Sequence, residues 1–209
     1  MKIIAIADTH GYHRRVKVPA GDVLLVAGDI CSHGLLAEVK EFGTWLLEQP
    51  CKHKIVIAGN HDEPFQWENN SALQALTRGN PTIIYLQDNS ITIEGVTFYG
   101  TPWTPTFMRW FFMADRGETI RRKWAMIPDN TDVLITHGPP ATILDDVGGL
   151  PEGCVDLLAR ILQINPKYNI FGHIHEGYGG IRKDDTVFIN ASVCDGRYRP
   201  INEPVVFNL

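Results

Sequence analysis

The sequence predicts an α/β protein: one domain over residues 1–209, with two sheets packed between helices. Three observations carry this. Short apolar runs end abruptly in Asp, His or Asn, strand and helix patterns alternate through the first half, and the middle turns to short strands between polar turns. A chain of 209 residues buries a sizeable core without staples. An apolar share of 44% and a charged share of 21% are those of an ordinary globular domain, so a disordered or fibrous class is excluded. The net charge of −5 argues against an extended nucleic-acid partner, which needs a clustered basic face. Arg121-Arg122-Lys123, the one basic cluster, reads as a solvated helix face.

The elements follow in order. Lys2 to Ala7 is an apolar run ending at Asp8, and 8–21 is a loop. Residues 22–27 form a second strand, buried on both faces, and Gly28-Asp29 ends it. Leu36, Val39, Phe42, Leu46 and Leu47 recur at helical spacing, which predicts a helix over 35–48 that Pro50 stops. A strand over 54–58 and a short helix near 69–77 complete a βαβαβ rhythm, hence a parallel sheet with ligands at its carboxyl edge. Residues 82–86, 90–93 and 96–99 read as antiparallel hairpins. The stretch 101–113 is rich in aromatics and proline and too irregular for a clean strand or helix. Then come a helix over 116–126, a strand over 132–136, a loop over 138–152 and a helix over 153–163. Strands at 168–171, 185–189 and 204–208 finish the chain, with a glycine-rich turn at 177–180.

Five strand ends carry the chemistry. They deliver Asp8 and His10; Asp29; Asn60, His61 and Asp62; His137; and His173 and His175. A bare Asp beyond a buried strand is costly unless it caps a helix or holds a cation. Each motif alone has a plainer reading: a loop Asp beside a surface His, a turn Asn, two histidines on a polar surface, a satisfied buried His137. Their recurrence at equivalent strand ends favours a two-metal site with Asp29 as the shared ligand. Mixed oxygen and nitrogen donors suit manganese, iron, zinc, cobalt or nickel rather than magnesium or calcium.

The ordered set D-x-H (8–10), G-D (28–29), G-N-H-D (59–62), T-H-G-P-P (136–140) and G-H-x-H (172–175) resembles the calcineurin-like metallophosphoesterase family, over residues 1–194. KIVIAGNH, TPWTP, ITHGPP, IHEGYG and INAS further resemble the small class III-like phosphodiesterase branch that includes the MPPED proteins. The resemblance implies a four-layer αββα sandwich (the metallo-dependent phosphatase fold), with two mixed β-sheets flanked by helices. It implies one ion on Asp8, His10, Asp29 and His175, and a second on Asp29, Asn60, His137 and His173, with manganese expected. Two ions about 3.5–4 Å apart bind a bridging water, lower its pKa and clamp the phosphoryl oxygens. By the same analogy Asn60 and His61 contact substrate, and His61 stabilises the phosphoryl charge or protonates the leaving oxygen, with Asp29 completing the catalytic pair. Asp62 orients His61 or its loop, or is an exposed turn carboxylate.

Two departures narrow the expectation. Protein phosphatases carry G-D-x-x-D-R-G, whereas 28–34 reads GDICSHG, without the second Asp or the Arg. That favours a phosphodiester, which carries less charge. Some MPPED relatives have Gly for the first His of G-H-x-H, but His173 is present here. The expected function is therefore hydrolysis of small phosphodiesters, cyclic nucleotides above all. A nucleotide phosphomonoesterase, pyrophosphatase or nuclease on the same site is the alternative, and a nucleotide-binding scaffold with structural metal is a third. Trp103, Phe107, Trp110, Phe111 and Phe112 serve the rest of a substrate, core packing or a homodimer contact. Cys31, Cys51, Cys154 and Cys194 form no C-x-x-C pair, Met1 leads straight into a strand, and no run reaches the ~20 apolar residues of a membrane span, so a cytoplasmic setting is expected.

Overall fold

Alternation along the strands assigns each layer of the molecule. In the computed structural model, which describes residues 1–209, β1 (Lys2–Ile6), β2 (Gly21–Ala27) and β3 (Cys51–Ile57) run parallel. Ile4, Ile6, Leu24 and Val26 point one way and pack on Val39, Phe42 and Leu46 of α1 (Leu36–Leu47). A short helix α2 (Glu63–Trp67) leads into α3 (Asn69–Thr77), whose Ala72 and Leu76 close the same layer. Ile3, Ala5, Val23 and Leu25 point the other way, into a second core shared with the opposing sheet.

The first sheet is completed by β4 (Ile83–Tyr85), and its order is β15-β1-β2-β3-β4 once β15 (Val205–Asn208) returns antiparallel to β1. The expected hairpin at 82–93 is corrected here: β4 pairs parallel with β3. Three residues carry too little alternation to reveal their partner, and Ile83 is claimed by the α1 and α3 layer. The hairpin that does form joins β5 (Asn89–Ile93) to β6 (Val96–Thr101) and opens the second sheet.

The aromatic stretch holds two short parallel strands, β7 (Thr104–Pro105) and β8 (Met113–Ala114). Helix α4 (Glu118–Trp124) and strand β9 (Val133–Thr136) follow. The loop expected over 138–152 contains a small hairpin, β10 (Asp146–Val147) with β11 (Leu150–Pro151). Helix α5 (Val155–Ile164), β12 (Tyr168–Phe171), β13 (Gly179–Lys183) and β14 (Thr186–Asn190) complete the second sheet, ordered β13-β14-β12-β9-β6-β5. A single 3-10 turn at His175–Gly177 stands where the glycine-rich turn was expected, and β13 begins at Gly179.

Val133, Ile135, Ile170 and Ile189 meet the first sheet across the central core. Leu134, Phe171 and Phe188 face outward under Ile120 and Trp124 of α4 and Leu157 and Ile161 of α5. Helix, sheet, sheet, helix: the fold is a four-layer αββα sandwich. No helix is long and apolar enough to cross a membrane.

Candidate metal centre

The carboxyl ends of β1, β2, β3, β9 and β12 converge on one cluster. Where β1 stops, Ala7 bridges to Ser192, and the chain leaves its strand geometry at once. Asp8 (φ 54), His10 (φ 41), Asp29 (φ 53) and His173 (φ 68) all adopt left-handed backbone, which costs energy in residues other than glycine and concentrates at functional sites. This turn swings each side chain over the sheet edge. Two glycines make room for it. A Cβ on Gly59 would lie 2.2 Å from Asp29 Oδ1, and one on Gly172 2.1 Å from Asp8 Oδ2.

The geometry divides into two halves around Asp29. On one side His10 Nε2 lies 3.7 Å from Asp29 Oδ2 and 3.2 Å from His175 Nε2, which is 3.7 Å from Asp8 Oδ1. On the other, His137 Nε2 lies 3.3 Å from Asp29 Oδ1 and 2.9 Å from Asn60 Oδ1, with His173 in the same group. Asp8, His10, Asp29, Asn60, His137 and His175 are buried, and His61 and His173 are half-buried.

Hydrogen bonds fix which atoms face inward. His137 Nδ1–H donates to Ala27 O (2.9 Å) and His175 Nδ1–H to Asp195 O (3.0 Å). Each leaves a ring Nε2 aimed at oxygens that can only accept. Such an array is repulsive without a cation, either a proton or a metal ion, so the donor set fits divalent ions of mixed nitrogen and oxygen preference. The charges agree. Burial acts most strongly on His137, against its charge, but the Asp29 carboxylate and its hydrogen bond prevail and raise it to about 9. Burial likewise opposes charge on His175, and Asp8 raises it to about 9. Burial pushes Asp29 upward, yet His137, His10 and His61 hold its carboxyl far below the usual range. Burial and the charge of His137 press His173 down to about 4.

Asp62 is fully buried rather than an exposed turn carboxylate. It accepts from the backbone N–H of Gly59 (2.8 Å), Cys31 (2.9 Å) and Ile30 (3.3 Å). It thus ties the loop after β2 to the loop after β3. Burial, then the charge of Asp29, raises it to about 7. His61 is oriented by other groups: its N–H donates to Asp29 Oδ1 (2.8 Å) and its ring Nδ1 to Ser32 O (3.2 Å).

Sequence reasoning missed Tyr198 and Asp195. The Tyr198 ring stands 4.8 Å from the His10 ring and 5.1 Å from that of His175, and the Asp195 carbonyl anchors His175. Nothing local marks them, because both reach the site through a turn far along the chain. Ser192, Asn190 and Cys194 are buried nearby, and the Ser192 hydroxyl donates to Asp8 Oδ2. The aromatic stretch divides. Phe112 is buried and Phe111 packs against the first helix layer, while Trp103 donates to Asp88 Oδ2 (2.8 Å) under Lys123. Phe107, Met108 and Trp110 rim a cavity of about 500 Å3 over Asp29, Asn60, His61 and His173.

A cation-seeking cluster at the seam of an αββα sandwich is the donor set of a candidate metal centre. A family model described as calcineurin-like phosphoesterase matches residues 1–177. The chain belongs to the calcineurin-like phosphoesterase family, and it is a phosphoester hydrolase of metal-dependent type. Metallophosphoesterase domain-containing protein 1 of Homo sapiens is 40% identical over 233 residues, covering 100% of this chain and 71% of its own. A UPF0046 protein of Caenorhabditis elegans is 39% identical over 218 residues, covering 99% and 74%. Two solved structures share the fold. The phosphopantetheinyl hydrolase of Mycobacterium tuberculosis has a TM-score of 0.65 at 15% identity, covering 98% of this chain and 95% of that one. A protein described as a novel archaeal phosphodiesterase has a TM-score of 0.57 at 18% identity, covering 100% and 93%.

Proposed function

We infer that the chain hydrolyses small phosphodiesters, nucleotide diesters including cyclic ones among them, at a centre of two divalent ions. Asp8, His10, Asp29 and His175 are the ligands proposed for one ion, and Asp29, Asn60, His137 and His173 for the other, with manganese the expected metal. When bound, the ions supply Lewis acidity to the attacking water and to the phosphoryl oxygens.

The protein residues do the rest. Asp29 presents Oδ2 toward His10 and Oδ1 toward His137, so its two oxygens face the two halves of the site. Asn60 contributes a neutral oxygen that leaves the ions electrophilic. The His61 ring, with Nδ1–H held by Ser32 O, keeps Nε2 for the phosphoryl group or the leaving oxygen.

The observation that carries the diester reading is the charge around the cavity. Arg116 is the one Lys or Arg among its lining residues, against Glu152 and Glu176. Its guanidinium is already donated to Glu152 O and Gly153 O, both at 2.9 Å. Apart from His61, substrate charge beyond what two ions would neutralise meets no uncommitted cationic side chain, which favours a singly charged diester over a doubly charged monoester. Phe107, Trp110 and Tyr198 supply aromatic walls suited to a base.

The test compares a bis-aryl phosphodiester with its monoester after chelation and re-addition of manganese, in wild type and His173→Gly. Manganese-dependent diester hydrolysis that collapses in the variant is expected. Preference for the monoester would move the reading to a nucleotide phosphatase, and no activity with any metal would leave a scaffold.

A further inference from the structure

The rings of His137 and His175 are each anchored by a hydrogen bond to a backbone carbonyl, at 2.9 and 3.0 Å. That of His61 is held more loosely. Its ring nitrogen makes one long hydrogen bond, 3.2 Å to Ser32 O, and the residue is half-buried at the mouth of the cavity. Its broad face is covered instead by the indole of Trp110, with ring centroids 4.2 Å apart and planes inclined by 30°. The edge of His10 stands 4.7 Å away on another side.

Trp110 is held in place by its neighbours. Phe111 N–H donates to Asn60 O (3.3 Å) and Phe112 N–H to Gln66 Oε1 (2.7 Å). Phe112 is sunk in the core of the first helix layer, and Phe111 packs against it. The loop before β8 is therefore docked, backbone to backbone, on the loop that carries His61. In this register the Trp110 indole lies over the imidazole. Phe107 and Met108, three and two residues earlier, make no such contact and are more exposed, 53% and 71% against 39% for Trp110.

We propose that Trp110 is a positioning residue for His61, and that the docked aromatic loop aims the proton donor of the reaction. The inference rests on the phosphodiesterase reading above. In that reaction the water oxygen forms the new bond to phosphorus and gives up a proton to solvent. The ester P–O bond breaks, its electron pair goes to the leaving oxygen, and that oxygen takes the Nε2 proton of a His61 imidazolium, which keeps its Nδ1–H on Ser32 O and regains the lost proton from solvent. An alkoxide leaving group needs this proton, whereas a nitrophenolate departs without it. A ring free to turn about its two side-chain torsions would spend much of its time aimed elsewhere, and loss of aim in acid catalysis costs a large share of its about 10²–10⁴-fold effect.

The test measures kcat and KM of the manganese-loaded protein on an alkyl and a nitrophenyl phosphodiester, in wild type, Trp110→Leu, Trp110→Phe, His61→Ala and the double variant Trp110→Leu/His61→Ala. The expected result is a fall of about tenfold or more in kcat for the alkyl ester in Trp110→Leu, little change for the nitrophenyl ester, and recovery in Trp110→Phe. The effect should vanish in the His61→Ala background. An equal fall on both esters, a change confined to KM, or the same loss without His61 would overturn the proposal. A second readout stands apart from turnover. In zinc-loaded protein the His61 imidazole protons, identified by their loss in His61→Ala, should be shifted upfield by the indole in wild type and Trp110→Phe, but not in Trp110→Leu. An unshifted wild-type signal would overturn the placement itself. A shifted signal in a protein inactive on both esters would instead overturn the phosphodiesterase reading.

Discussion

Asp62 shows how much a single buried carboxylate can organise. It receives three backbone N–H groups from two loops, and no neighbouring side chain supplies a compensating positive charge by direct hydrogen bond. Asp62→Asn replaces one accepting oxygen with an amide that can only donate. With the remaining oxygen kept toward Gly59 and Ile30, the Cys31 N–H is left unmet, and at about 1–3 kcal/mol for one buried donor Tm should fall by roughly 2–10 °C. Manganese content should fall with it, since both proposed ligand loops are loosened. His137 and His175 make a second prediction at this scale. Both are raised to about 9, so in the metal-free protein at pH 7 each carries an extra proton, where an ordinary imidazole is mostly neutral. A metal ion must displace those protons. Calorimetric titrations in buffers of differing ionisation enthalpy should record release of about two protons at pH 7, and affinity should rise with pH until it levels near 9. Release of none would mean that these imidazoles are not ligands.

Among the elements, the strands that end in ligands were legible from sequence because each is an unbroken apolar run closed by a polar residue. The same contrast that buries the strand exposes its terminus, so fold and site share one signal. Elements of two residues gave no such signal: β7, β8, β10 and β11 are too short for periodicity. β4 was legible as a strand, but its partner is chosen by surfaces distant in sequence. Asp62 illustrates the same limit: a turn carboxylate and a buried tie between loops read alike until the loops are brought together. Helix α1 offers the element's own test. Phe42 is fully buried between the helix and β1 and β2, and it also meets the ring of His13 at 5.2 Å. Phe42→Ala should cost about 3–5 kcal/mol, and Tm should drop by roughly 10 °C in a thermal melt. The metal centre lies beyond the far edge of that sheet, so kcat at 25 °C should change little. A collapse of kcat with intact folding would show that α1 also sets the site.

Over the whole molecule, the cluster straddles a seam. Asp8, His10, Asp29, Asn60 and His61 come from the first sheet, and His137, His173 and His175 from the second. The seam is sewn by backbone, with Ala7 N–H donating to Ala191 O (2.8 Å) and Val193 N–H to Ala7 O (2.9 Å). His173 N–H crosses it to both oxygens of Asp8, at 3.1 and 3.0 Å. Ions bound there would draw the two sheets together. Chelation should lower Tm, and each ion at a concentration a hundred times its dissociation constant should restore about 2.7 kcal/mol, some 5–10 °C. A melt indifferent to chelator and manganese would count against a bound pair.

The left-handed turns at Asp8, His10, Asp29 and His173 bear on the order of assembly. Each is uphill in an isolated strand end: Asp8 N–H to Gly28 O and His10 N–H to Asp29 O are made within the first sheet, whereas His173 N–H reaches across to Asp8. The first sheet alone gathers His10, Asp29 and His61, and His137, His173 and His175 join them only from the second. The full complement of ligands exists only in the finished sandwich, so metal affinity would report that both sheets are in place.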